Sequence, residues 1–158
     1  MVAIQPGEMA PDFQLPRDGG AQVGLSDFRG RKLVLFFYPK DDTSGCTAEA
    51  VAFSALEGEF NAANTAILGL SPDSVKKHDA FKAKHAITVP LASDEEKKIL
   101  QDYGVWVEKS MYGKKYMGVE RTTVLIDESG KIQRVWNKVS VPGHAEEVLE
   151  AARAETLS

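Results

Sequence analysis

Apolar positions along the chain come in two kinds of run, separated by polar or Gly- and Pro-containing stretches. Residues 32–38 (KLVLFFY) and 65–70 (TAILGL) are apolar without interruption and rich in β-branched and aromatic side chains. That length and content predict strands buried on both faces. Elsewhere the period lengthens to that of a helix. Ala52, Phe53, Leu56 and Phe60 share one face and Glu57 and Glu59 another, which predicts a helix from about residue 46 to residues 61–64. A second helix is predicted over 74–85, anchored by Val75 and Phe81, and a terminal amphipathic one over 144–154. Residues 88–92 suit a short strand, after which Ser93 and Glu96 have capping-box spacing ahead of Ile99, Leu100 and Tyr103. Strands over 121–127 and 131–137 are joined by Glu128-Ser129-Gly130, a hairpin signal. Within the Gly- and Pro-rich first 31 residues, 13–15 and 22–25 suit a short strand pair.

The order is strand–helix–strand–helix, then a helix, a hairpin and a last helix. A βαβ unit combined with a hairpin and flanking helices predicts an α/β protein with a central mixed sheet covered on both faces. The thioredoxin-like fold is the smallest familiar solution of that kind. The class follows from the pattern, and the choice among α/β folds waits on the motif below. No repeat or linker divides the 158 residues, a length that points to one domain.

Composition narrows the partners. Apolar residues make up 43% and charged residues 27%, ordinary for a globular protein and far from disorder. The formal charge of -4 gives no reason to expect nucleic acid or an anionic membrane surface. No apolar run approaches the roughly 20 residues of a membrane span. Residues 1–12 lack the basic start and apolar centre of a secretory signal. One cysteine excludes an intramolecular disulfide, and a lone thiol is most at home in a reducing compartment. The expectation is a cytoplasmic protein.

The stretch with chemistry in it is Tyr38-Pro39-Lys40-Asp41-Asp42-Thr43-Ser44-Gly45-Cys46-Thr47-Ala48-Glu49. It joins a buried strand to a helix, with four cap-type residues and a loosening Gly45 before the thiol. Ligand sites in open α/β sheets lie at such carboxyl ends of strands. A thiol in the first helical turn faces unpaired backbone N–H groups and the positive end of the helix dipole, which favour the thiolate. The plainer alternative is a small buried hydrophobe. Polar turn residues are poor packing neighbours for a core thiol, which leaves the two readings evenly balanced.

This segment resembles the peroxiredoxin signature P-x-x-x-T-x-x-C, carried here by Pro39, Thr43 and Cys46. With EKSMYGKKYMGVERTTVLIDESGKI and VPGHAEEVLEA, the whole chain is similar to the bacterioferritin comigratory protein, or Q-type, subgroup. The resemblance implies a thiol-dependent peroxidase of antioxidant defence, with no cofactor. Cys46 matches the peroxidatic cysteine, whose thiolate attacks a peroxide oxygen and becomes a sulfenic acid. Thr43 matches the site threonine, able to accept from and donate to the reacting oxygens. Pro39 matches the residue that walls the thiol without offering an N–H. Arg121 matches the family arginine, which stabilises the thiolate and the departing oxygen. Its plainer alternative is a surface ion pair with Glu120 or Glu128. Glu49 matches a glutamate that orients the arginine, and its plainer alternative is an ordinary first-turn acid.

The chain departs from the subgroup in two places. Many members carry a resolving cysteine five positions after the first, where this chain has Val51. A helical i, i+5 pair is separated by about 7.5 Å along the axis, beyond the roughly 7 Å Cα limit for a disulfide. Two-cysteine members must therefore unwind that helix, and this chain need not. Its sulfenic acid must be resolved by an external thiol, from thioredoxin or from glutaredoxin with glutathione. Ser44 stands where Pro is common, and it keeps a backbone N–H. The expected assembly is a monomer or weak homodimer.

Other signals are weak. His78, His85 and His144 lack metal-ligand spacing and suit surface or capping positions. Lys109, Lys114 and Lys115 with Tyr112 and Tyr116 suit a solvated loop, and Trp106 and Trp136 suit packing. A cysteine hydrolase would need a histidine base for Cys46, and nothing in the sequence supplies one. A non-catalytic thioredoxin-like binding or redox-sensing module would leave Cys46 unreactive.

Overall fold

In the computed structural model, which describes residues 4–157, the apolar runs form the sheet. Strands β3 (Lys32–Phe37) and β4 (Thr65–Ser71) are buried along their entire lengths. They pair in parallel, and β5 (Leu91–Ser93) continues the sheet in parallel beyond β4. On the other side of β3 lie β8 (Thr122–Ile126) and β9 (Ile132–Trp136), both antiparallel to their neighbours. The five-stranded order is β5-β4-β3-β8-β9, a mixed sheet. The predicted class is what the chain adopts.

Side chains alternate across the central strand, as the pleat requires. Leu33, Leu35 and Phe37 join one core with Phe13, Leu15, Ile99, Leu100 and Tyr103. Val34, Phe36 and Tyr38 join the other, against helices α1 (Ser44–Ala55), α2 (Glu57–Ala62), α3 (Val75–His85) and α5 (His144–Leu157). Phe53 of α1 stacks on Phe36 of β3 with centroids 4.8 Å apart. Each such fully buried side chain contributes about 1.5–3 kcal/mol, so α1 is fastened to the sheet near its C-terminal end. Its first turn is held by other means. Among the described residues, no helix is long and apolar enough to cross a membrane.

The structure differs from the pattern in several places. The helix predicted from residue 46 begins at Ser44 and breaks at Leu56 into α1 and α2. The expected box of Ser93 and Glu96 does not form. Ser93 is the last residue of β5, and α4 (Lys98–Asp102) is instead capped by Asp94, whose Oδ2 accepts from the Leu100 N–H at 2.9 Å.

The expected loop around Tyr112 is a hairpin, β6 (Trp106–Met111) paired with β7 (Lys114–Val119). Tyr112 and Gly113 both have positive φ, 52° and 79°, the backbone of a two-residue primed turn. Asn-Gly is the usual signal for such a turn, and Tyr in the first place hides it. The early strand pair is present as β1 (Gln14–Pro16) and β2 (Gln22–Gly24).

The histidines need the largest correction. His78 is fully buried and His144 is 4% exposed, while only His85 is half-exposed as expected. Each buried ring satisfies a nitrogen internally, His144 Nε2 with Thr123 Oγ1 at 2.8 Å and His78 with Asp41 and Ala92. Sequence spacing has no way to show such partners. Trp106 and Trp136 are half-buried and pack against the two cores, as anticipated.

Candidate active site

The site forms where β3 ends. The loop from Tyr38 carries the chain over the sheet edge into α1, and Cys46 lies in the first turn, 1% exposed. Thr43 is the N-cap residue, with extended backbone, and its carbonyl accepts from the Thr47 N–H at 2.8 Å. Its hydroxyl does not cap the helix. Thr43 Oγ1 donates to the Lys40 carbonyl at 2.8 Å, which leaves its lone pairs free to accept. Pro39 is half-buried one residue beyond Tyr38.

Sheet register delivers Arg121 to the same place. Phe37 pairs with Thr122, so the residue before Thr122 falls beside Tyr38, where the loop to Cys46 starts. The hairpin base fixes it from one side, with the Glu120 N–H donating to Val105 O at 2.8 Å. The Val139 N–H donates to Arg121 O at 2.9 Å from the other. Arg121 Nη2 donates to Cys46 Sγ at 3.3 Å and Nη1 donates to Glu49 Oε1 at 2.6 Å. One planar guanidinium thus spans residues one helical turn apart, which its fork geometry permits and an ammonium would not. The pairing with Glu120 or Glu128 does not occur.

Gly45 has a place in the site that sequence inspection missed. It lies inside α1 rather than in a turn, and a Cβ there would meet Arg121 Nη2 at 3.2 Å. The absence of a side chain there leaves room for the Arg121 guanidinium beside the Cys46 sulfur.

The electrostatics follow from burial. Glu49 is 1% exposed and its Oε2 has no hydrogen-bond partner. Burial pushes its carboxyl up to about 7, against the opposing pull of Arg121. For Arg121 burial acts to lower the pKa, but the charges of Glu49 and Cys46 outweigh it and hold the guanidinium above its ordinary value. Burial lowers His144, with Arg121 adding to the effect and Glu147 opposing it. Val51 is exposed on α1, 41% against 1% for Cys46.

Known proteins match over nearly the full length. The AhpC/TSA family model covers residues 6–135. A putative peroxiredoxin bcp of Coxiella burnetii is 48% identical over 94% of this chain and 98% of its own. Peroxiredoxin Bcp of Bacillus subtilis is 43% identical over 96% and 97%. Among solved structures, peroxiredoxin Q of Xanthomonas campestris superposes with a TM-score of 0.90 at 43% identity, covering 96% of this chain and 98% of that one. A second, of the bacterioferritin comigratory protein from the same organism with trapped intermediates and ligands, concerns alkyl peroxide reduction activity; it superposes with a TM-score of 0.90 at 42% identity, covering 96% and 99%. By these matches the chain belongs to the AhpC/TSA family, among its Bcp or Q-type peroxiredoxins.

Proposed function

We propose that Cys46 is the peroxidatic nucleophile of this thiol-dependent peroxidase, served by Arg121, Glu49, Thr43 and Pro39. The observation that carries the reading is the 3.3 Å contact from the Arg121 guanidinium to a sulfur in the first turn of a helix. A permanently charged donor at that distance is complementary to a thiolate and to the oxygen that leaves.

The step balances as follows. The Cys46 sulfur bonds to the distal oxygen of a hydroperoxide and the O–O bond breaks. The departing alkoxide or hydroxide takes from solvent the proton that the thiol released on ionising, and becomes alcohol or water. The sulfur loses two electrons and the peroxide gains them. Arg121 steadies the negative charge as it moves from sulfur to the leaving oxygen. The Thr43 oxygen accepts from the peroxide O–H and aims it, and Pro39 walls the pocket without competing for the sulfur. Glu49 holds the guanidinium in place. The alkyl peroxide activity of the Xanthomonas campestris relative supports including organic hydroperoxides among the substrates.

The substrates are a peroxide and a reducing thiol. The chain has one cysteine, so both sulfurs of any regenerating disulfide beyond Cys46 come from outside. Thioredoxin, or glutaredoxin with glutathione, supplies them. With Cys46 only 1% exposed, a reductant as large as a protein reaches the sulfenic acid only when the first turn of α1 moves outward. The earlier expectation that α1 need not unwind is limited, on this reading, to the absence of an internal disulfide.

Mixing the protein with one equivalent of hydrogen peroxide and counting remaining thiols tests the assignment. One-for-one loss in the wild type and no peroxide consumption by C46S are expected. Persistence of the Cys46 thiol defeats it. A mixed disulfide on Cys46, trapped with each candidate reductant, identifies the thiol.

A further inference from the structure

A buried polar cluster lies behind the active-site loop and takes no part in the steps above. Tyr38 and His78 are fully buried and Asp41 is 8% exposed. Tyr38 Oη donates to Asp41 Oδ1 at 2.6 Å, and His78 Nδ1 lies 2.6 Å from Asp41 Oδ2. His78 Nε2 lies 2.9 Å from the carbonyl oxygen of Ala92 in β5. The Asp41 N–H donates to Asp73 Oδ2 at 2.7 Å, and Ser71 Oγ donates to the same oxygen at 3.0 Å. One loop residue is thereby tied to β3, to α3, to the end of β4 and, through His78, to β5.

Counting donors shows what holds it. A carbonyl only accepts, so His78 Nε2 carries a hydrogen. Between Nδ1 and Asp41 Oδ2 there must be one more, on the ring or on the carboxyl. The Tyr38 hydroxyl is a fixed donor, because burial, and then the Asp41 charge, push its pKa well above the ordinary value. Each polar atom facing the pair is engaged, and such closed buried networks are stiff.

The stiffness bears on the chemistry through a short covalent path. Asp41 lies midway between Pro39 and Thr43. Asp42 follows it in the left-handed region at φ 62°, held from outside by Lys84 at 2.8 Å and His85 at 2.8 Å. A non-glycine residue in that region persists where its surroundings determine it. Two successive aspartates thus dock the loop on α3, one buried and one exposed.

We propose that His78 is a positioning residue for peroxide reduction, acting through Asp41 to fix the backbone that carries Pro39 and Thr43 to Cys46. The inference rests on Cys46 as the nucleophile. Alkylation by iodoacetamide requires an accessible sulfur but none of the Pro39–Thr43 geometry, whereas peroxide reduction requires both.

The test compares these two rates at Cys46 in the full chain, with four variants. H78F removes both bonds of the ring. H78N places an amide where Nδ1 was and keeps the bond to Asp41. H78Q reaches Ala92 but not Asp41. D41N accepts from Tyr38, donates to a neutral His78 and leaves the Ala92 bond intact.

H78F and H78Q are expected to lose about tenfold or more in single-turnover peroxide rate, with alkylation within about threefold of wild type or faster. H78N and D41N are expected to stay within about threefold of wild type on both rates. Nitrogen NMR is expected to show His78 Nε2 protonated in both the wild type and D41N, as the bond to the Ala92 carbonyl requires. Equal peroxide rates in H78N and H78Q, or peroxide and alkylation rates that fall together, overturn the inference; this comparison stands even where H78F does not fold. Failure of wild-type Cys46 to react with peroxide at all strikes at the nucleophile assignment instead.

Discussion

Arg121 reaches Cys46 across Gly45: its Nη2 donates to Sγ at 3.3 Å, and a methyl group on Gly45 would sit 3.2 Å from the same nitrogen. Gly45 is in a helix with ordinary helical backbone, so conformational freedom is not what the position requires. Helix propensity favours alanine there by up to about 1 kcal/mol. The close approach of Arg121 opposes it. G45A is expected to unfold at the same or slightly higher denaturant concentration while losing about tenfold or more in single-turnover peroxide rate. Stopped-flow fluorescence and urea unfolding measure the two. An alanine variant as fast as wild type means the guanidinium moves aside at no cost, and the gap is then unimportant.

Arg121 contacts two acceptors with different nitrogens, Glu49 Oε1 at 2.6 Å and Cys46 Sγ at 3.3 Å. A lysine ammonium is a single point charge on a flexible stem, and it cannot hold both places. R121K is therefore expected to lower the peroxide rate by about 10²–10³-fold, the usual size for loss of one preorganised donor. Fold and secondary structure should survive, because β8 is held by its backbone pairing to β3. A lysine variant within threefold of wild type would show that net charge, not the two-point clamp, is what the reaction uses.

Glu49 gives the site a pH signature. Its folded carboxyl is raised by burial from 4.5 to about 7, so between those values the folded state keeps a proton that the unfolded chain releases. The folded state then binds more protons than the unfolded one, and stability falls as pH rises through this window. Full burial justifies using most of the shift, which amounts to about 3 kcal/mol lost progressively from below pH 4.5 to above pH 7. E49Q cannot titrate. The difference in unfolding free energy between wild type and E49Q should shift by about that amount against the wild type across the window, as read from urea unfolding at pH 5 and pH 8. A difference that is flat, or that shifts the other way, would mean Arg121 keeps the carboxylate charged throughout.

What could be read from the sequence was local. Pro39, Thr43 and Cys46 share one strand-to-helix crossing, and buried runs with caps mark such crossings plainly. Arg121 and Glu49 are 72 residues apart and meet through sheet register, which no periodicity encodes; the family resemblance alone indicated them. Gly45 looked like a turn residue because glycine usually is one, and its use as a gap depends on the side chain of Arg121, 76 residues away and immediately before β8. His78 and His144 looked like surface residues because isolated histidines carry no burial signal. The Thr43 hydroxyl hydrogen proved to be engaged by Lys40 O, a partner three residues away that residue type alone does not announce. The Tyr112–Gly113 turn was hidden by an unusual residue in a left-handed position.

Val51 offers a way to measure how readily α1 opens. It is exposed while Cys46 is buried, and an intact helix separates them by about 7.5 Å along its axis, too far for a disulfide. V51C can form one only by unwinding the first turns of α1. The substitution is at an exposed site and should change stability by no more than about 0.5 kcal/mol. One equivalent of peroxide is expected to convert V51C to an intramolecular disulfide with reduced helical circular dichroism. Under the same treatment the wild type should hold a sulfenic acid, which advances to sulfinic acid when peroxide is in excess and no thiol is present. Both products are distinguished by intact mass under non-reducing conditions. A V51C protein that keeps a free thiol beside a sulfenic acid would show that the turn does not open on this timescale. Reductants would then have to reach Cys46 through the closed site, and only small thiols would serve.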